Sequence, residues 1–163
     1  MTLARAGLEA LHPWDCPERE QAMASFAQRW QQRPVILDSW FSLEASTPFG
    51  DAIARAQGLL AHPSFDPQAP NSLRAVLGGF ARCARSFHNP DGSGYSWLAE
   101  QVLQVDQSNP ITASRMLKLF MGWPRYSPQR QAAMRASLEW LEARLPSANS
   151  QEVVRQCLGA DAG

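Results

Sequence analysis

The stretch Asn71-Ser-Leu-Arg-Ala-Val-Leu-Gly-Gly-Phe80 decides the fold class. Leu73, Val76, Leu77 and Phe80 recur at i, i+3, i+4 and i+7, which is one face of an α-helix. Working outward, Met23, Phe26, Ala27 and Trp30 form a second such stripe, and Tyr95, Leu98, Val102 and Val105 a third. Met134, Leu138, Leu141 and Leu145 form a fourth, and Val153, Val154, Cys157 and Leu158 close the chain. Between residues 109 and 123 the pattern broadens. Ile111, Met116, Leu117, Leu119, Phe120 and Trp123 wrap much of the circumference, which predicts burial from more than one side. Pro34-Val-Ile-Leu37 is compatible with a strand, but its continuation through Asp38, Trp40, Phe41 and Leu43 has helical spacing. About eight helices joined by short turns predict an all-α fold of stacked antiparallel hairpins.

The punctuation agrees. Asn109-Pro110 places a capping side chain before a proline whose missing N–H costs nothing in a first turn. Ser127-Pro128 and Thr47-Pro48 have the same form. Asn71 is a candidate cap after Pro70, and Asn149 precedes Glu152 by three residues, as in a capping box. His12-Pro-Trp-Asp-Cys-Pro17 and His62-Pro-Ser-Phe-Asp-Pro67 echo one another about 50 residues apart, near a HEAT-type period. A shared set of turn residues would give the same echo.

The chain has 163 residues, enough for a single helical domain over residues 1–163. Hydrophobic residues are 45% and charged residues 18%, a globular balance. Fifteen basic and 15 acidic side chains leave no net charge, and so no electrostatic case for nucleic acid or an anionic membrane as partner. Lys118 is the only lysine; the arginine bias suits carboxylate recognition and equally a GC-rich coding bias. Cys16, Cys83 and Cys157 are odd in number and far apart, which points to a reduced, cytoplasmic setting. No apolar run approaches the roughly 20 residues of a membrane span.

Catalytic machinery is incomplete. The three histidines, His12, His62 and His88, have no metal-site spacing, and no cysteine cluster replaces them, so no metal is expected in this segment. There is no Gly-x-Ser-x-Gly elbow and no Walker loop. His88, Asp91 and Tyr95 form a polar group in which a histidine near a carboxylate would suit general-base work. The stronger expectation is a structural loop, because Asn-Pro and Asp-Gly make turns and such side chains tie a loop to the following helix. Cys83, near an apolar stripe, reads as buried and inert rather than as a nucleophile with His88. Arg74 would fall in the first turn after an Asn71 cap, where a cation opposes the helix dipole and needs an offsetting partner. Arg115 by itself reads as a surface arginine.

Three stretches together resemble the C-terminal region of bacterial aminopeptidase N, a zinc metallopeptidase family. They are Arg29-Trp-Gln-Gln-Arg-Pro-Val-Ile-Leu-Asp-Ser-Trp-Phe-Ser-Leu-Glu-Ala45; Asn71 to Phe80 with Phe87-His-Asn-Pro-Asp-Gly-Ser-Gly-Tyr95; and Asn109-Pro-Ile-Thr-Ala-Ser-Arg-Met-Leu117 with Arg125-Tyr-Ser-Pro-Gln-Arg-Gln131 and Met134-Arg-Ala-Ser-Leu-Glu139. The likeness covers residues 20 to 160 and is less clear over residues 1–20.

The resemblance implies an α-α superhelix of HEAT/armadillo type. It further implies that this chain is the last part of a larger enzyme that removes N-terminal residues from peptides. In that family zinc and the His-Glu-x-x-His motif belong to an upstream catalytic domain, so this segment would have no catalytic residue, would cover the active site and would line the substrate chamber. Arg74 and Arg115 match family arginines that face the peptide path, and guanidinium forks suit peptide carbonyls and a terminal carboxylate. The resemblance names the peptide and the upstream domain as partners, with self-association expected of the isolated segment. Two alternatives are a stand-alone helical-repeat module that binds a peptide or protein, and an independent hydrolase using His88 and Asp91.

Overall fold

The computed structural model describes residues 2–159, and all regular structure among them is helical. The chain divides into two compact units, residues 1–83 and 84–163. The first contains α1 (Thr2–Leu11), α2 (Pro17–Trp30), α3 (Pro34–Ala45), α4 (Ala52–Leu60) and α5 (Pro70–Arg82). The second contains α6 (Ala84–Phe87), α7 (Ser93–Ser108), α8 (Pro110–Leu117), α9 (Pro128–Glu142) and α10 (Ala148–Gly159). Two 3-10 turns, Lys118–Phe120 and Trp123–Arg125, follow α8. The ambiguous Pro34 to Leu37 segment is the start of helix α3.

Proline opens many of these helices. Pro17, Pro34, Pro70, Pro110 and Pro128 each occupy the first helical position, where the ring presets φ and no hydrogen bond is lost. Asn109 caps α8, its Oδ1 accepting from the Thr112 amide at 3.0 Å. Other expected caps are corrected. Thr47-Pro48 starts no helix: Thr47 is buried and its Oγ1 accepts from Arg19 at 2.6 Å, while Asp51 caps α4. Ala69, not Asn71, is the cap residue of α5. Ser147, not Asn149, caps α10, its Oγ accepting from the Ser150 amide at 3.2 Å.

In the first unit α5 packs closely on α3. Leu73, Val76, Leu77 and Phe80 are buried, each worth about 1.5–3 kcal/mol of transfer free energy. Gly79 sets the spacing: a Cβ there would lie 2.8 Å from the Ala45 Cβ and 2.9 Å from the Ser42 carbonyl oxygen. Ser72 Oγ donates to Asp38 Oδ1 at 2.8 Å across the same pair of helices. His12 Nε2 pairs with the Leu43 carbonyl at 3.0 Å, tying the end of α1 to α3.

In the second unit Tyr95, Leu98, Val102 and Val105 are buried on α7, and Met134, Leu138 and Leu141 on α9. Met116, Leu117, Phe120 and Trp123 are buried as the broad pattern predicts, but Ile111 is 59% exposed. Gly94 lets α7 start against the preceding chain, since a Cβ would fall 2.4 Å from the Ser86 carbonyl oxygen.

Candidate substrate-contact residues

Arg74 belongs to the first unit. With Ala69 as the cap, it lies in the second turn of α5 rather than the first. Its neighbours Ser72, Leu73, Ala75, Val76 and Leu77 are buried, and Asn71, Arg74 and Gly78 lie on the side of the helix that is not. Arg74 Nη2 donates to Asn71 Oδ1 at 3.0 Å. The side chain the sequence offered as a cap therefore orients the arginine instead. The remaining guanidinium donors of this exposed residue are open to an acceptor.

Arg115 belongs to the second unit and is exposed on α8. No hydrogen bond or ion pair holds it among the described residues. One turn before it stands the exposed Ile111, and Lys118 follows on the same side. A guanidinium beside an apolar side chain can bind a peptide carbonyl while the stem covers apolar surface.

His88, Asp91 and Tyr95 also lie in the second unit, and only two of them meet. His88 Nδ1 and Tyr95 Oη are 2.7 Å apart. Asp91 turns the other way: Oδ1 accepts from the Ser93 amide at 2.8 Å, at the entry to α7, and Oδ2 accepts from Asn89 at 3.1 Å. Hydrogen bonding to Ser93, from its side chain first and then its backbone amide, holds the Asp91 carboxyl below its ordinary value. The cation near His88 is Arg130, whose Nε donates to the His88 carbonyl at 3.3 Å. Burial, then Arg130, lowers the His88 pKa. Burial likewise raises that of Tyr95. The neighbours the sequence did not single out are Arg130 and Tyr126, whose ring centroid is 4.4 Å from the imidazole. Both come from near the start of α9, a distance in sequence that no local pattern announces.

The cysteines are thiols. Cys83 is buried and donates to the Thr47 carbonyl at 3.4 Å, and burial pushes the Cys157 thiol up to about 11. Among the described residues no group of three or more His, Cys, Asp or Glu is placed to hold a metal ion. No helix among them is long and apolar enough to cross a membrane.

Known proteins share this sequence and fold. The chain is 41% identical over 143 residues to aminopeptidase N of Caulobacter vibrioides, covering 86% of this chain and 17% of that protein. It is 37% identical over 143 residues to aminopeptidase N of Escherichia coli, covering 87% of this chain and 16% of that one. It thus spans about a sixth of the curated relatives it matches. The crystal structure of Legionella pneumophila aminopeptidase A in complex with aspartic acid superposes with a TM-score of 0.90 at 29% identity, over 97% of this chain and 19% of that one. The family described as "Domain of unknown function (DUF3458_C) ARM repeats" matches residues 1–159, in accord with the all-α hairpins above, and the chain belongs to it.

Proposed function

We propose that this chain is the C-terminal helical domain of a zinc-dependent aminopeptidase of the aminopeptidase N type. In this reading it covers the active site and lines the substrate chamber of an enzyme that removes N-terminal residues from peptides. The observation that carries the reading is the match of 97% of the chain, at a TM-score of 0.90, to part of an aminopeptidase. The zinc would be held by an upstream catalytic domain outside this sequence, and the enzyme would work in the cytoplasm. Arg74 and Arg115 would each contact the peptide beyond its N-terminus, binding carbonyls or a terminal carboxylate. The loop of His88, Asp91 and Tyr95 would be structural, securing the entry to α7. Exposed Leu3, Trp14 and Val35 in the first unit, and Ile111 and Met121 in the second, are apolar surface of the kind that meets other protein.

The test is the native polypeptide itself. A chain several times larger than 18.1 kDa that hydrolyses aminoacyl anilides, and loses that activity when this segment is deleted, supports the proposal. A native polypeptide of 18.1 kDa that binds peptides without hydrolysing them would establish the stand-alone repeat module instead.

A further inference from the structure

From Gln107 to Leu138 the sequence has five basic residues, Arg115, Lys118, Arg125, Arg130 and Arg135, and no acidic one, within a chain whose charges balance overall. Two of the five are engaged. Arg130 Nε donates to the His88 carbonyl at 3.3 Å, and Arg135 Nε pairs with Glu139 Oε1 at 2.9 Å. Arg115, Lys118 and Arg125 are exposed, and no side-chain hydrogen bond or ion pair holds any of them among the described residues. The acids nearest in sequence are taken elsewhere: Asp106 accepts from Ser147 and Ser150, and Glu139 is the partner of Arg135. On the neighbouring α10, Glu152 Oε1 accepts from Gln156 at 2.8 Å. The positive charge of this segment is therefore left without a partner inside the unit.

Apolar side chains stand on the same surface. Thr112, Ala113, Met116 and Leu117 bury one side of α8. On the other, Ile111, Arg115 and Lys118 follow one another at helical spacing, and Met121 follows Lys118 across the 3-10 turn, which keeps all four on one line. Ile111 is 59% exposed and Met121 49%, so the strip carries an uncovered apolar side chain at each end and two cations between them.

The order of these groups selects the partner. A helix lying on an anionic membrane has a continuous apolar face with cations at its margins, whereas here the cations are central. Nucleic acid calls for many phosphate contacts or for aromatic faces on which bases stack, and the strip has two cations and no aromatic ring. An extended polypeptide fits both features. The strip is about 16 Å long from the rise per residue of its turns, the span of about five extended residues. Carboxylates in the middle of such a segment meet Arg115 and Lys118, and apolar side chains at its ends cover Ile111 and Met121.

We propose that the strip of Ile111, Arg115, Lys118 and Met121 docks an extended acidic peptide segment with carboxylates at its centre and apolar side chains at its ends. Charge complementarity and exposure carry the proposal, and a different parent protein would leave it standing. In the aminopeptidase reading the segment is the distal part of the peptide, and Lys118 joins Arg115 in favouring acidic residues there.

The experiment is fluorescence anisotropy of the chain with labelled Gly-Leu-Asp-Glu-Asp-Leu-Gly, and with the same peptide carrying Asn and Gln for its acids or Ser for its leucines. The expected result is saturable binding of the first that weakens at least about tenfold without its carboxylates and about threefold without its leucines. Binding should fall as salt is raised. Arg115→Gln and Lys118→Gln should each weaken it by about threefold, and Ile111→Ser by about twofold, whereas Arg5→Gln in the first unit should leave it unchanged. All four sites are exposed, so the variants should keep the parent's thermal melt. No saturation at millimolar peptide, equal binding of the uncharged peptide, or undiminished binding by either Arg115→Gln or Lys118→Gln would overturn the proposal. Tighter binding of single-stranded DNA or of phosphatidylglycerol vesicles through the same residues would overturn it too. Its failure in a native polypeptide that still hydrolyses aminoacyl anilides would leave the aminopeptidase reading intact.

Discussion

Arg74 Nη2 donates to Asn71 Oδ1 at 3.0 Å, one turn back along the open strip of α5. The pair is exposed and satisfies no buried group, so it contributes little to stability. Arg74→Ala should leave the unfolding free energy within about 0.5 kcal/mol of the parent. Chemical denaturation measures this. A loss above 1.5 kcal/mol, by the same principle roughly the range of a structural residue, would make Arg74 part of the packing rather than a ligand contact.

Arg115 offers the matching test of function. It is unpaired among the described residues, so its removal breaks no internal contact. In a full-length enzyme, Arg115→Ala should lower kcat/KM for longer peptides by about tenfold while sparing single-residue anilides, which do not reach it. Equal losses on both substrates would remove the proposed contact with the distal peptide.

Gly78 and Gly79 are adjacent in sequence and opposite in consequence. A Cβ at Gly78 meets nothing within 4 Å, whereas one at Gly79 meets Ala45 and Ser42 at 2.8 and 2.9 Å. Gly78→Ala should therefore stabilise the chain by about 0.5–1 kcal/mol through helix propensity. Gly79→Ala should cost about 1–3 kcal/mol, because α3 must move away from α5. Thermal melts of the two variants, shifting in opposite directions, are the expected outcome. Shifts of the same sign would contradict the close approach.

Those glycines mark what the sequence could and could not convey. The stripes at Leu73 to Phe80 and Tyr95 to Val105 were legible because helical burial repeats locally, and proline at a first position is a local signal too. Thr47-Pro48 misled because the decisive partner of Thr47 is Arg19, 28 residues earlier. Asn149 misled similarly: Ser147 sits two residues before it and is held by Asp106, 41 residues upstream. Arg115 was singled out through family likeness alone, whereas Arg74 first stood out by its spacing from an expected Asn71 cap, which the Ala69 cap replaces.

His88 gives a pH prediction. Burial first, then the Arg130 cation, disfavours its protonated form, so its midpoint in the folded chain should lie below the ordinary 6.5. The folded state then binds this proton less readily than the unfolded state. Its contribution to stability is present above pH 6.5 and is lost as pH falls through the lowered folded midpoint. NMR titration of the imidazole should show the lowered midpoint. Arg130→Gln should raise it partway, leaving the effect of burial. An unchanged midpoint in that variant would exclude the charge of Arg130 as a cause.

Asp106 yields the largest predicted loss from one polar side chain. It is 2% exposed; its Oδ1 accepts from Ser147 Oγ and Ser150 Oγ, both at 2.5 Å, and its Oδ2 from the Ser147 amide at 3.0 Å. Ser147 in turn caps α10, so one carboxylate of α7 fixes both the position and the start of the last helix. Asp106→Ala strands these donors beside a buried position, and should cost about 3 kcal/mol. Asp106→Asn keeps one oxygen acceptor and loses the charge, so it should cost less. The order of the two variants in denaturant midpoint checks the argument, and hydrogen exchange locates it. In Asp106→Ala the amides of α10 should lose protection before those of α7; simultaneous loss along both helices would mean that the carboxylate serves the unit as a whole and not the docking of α10.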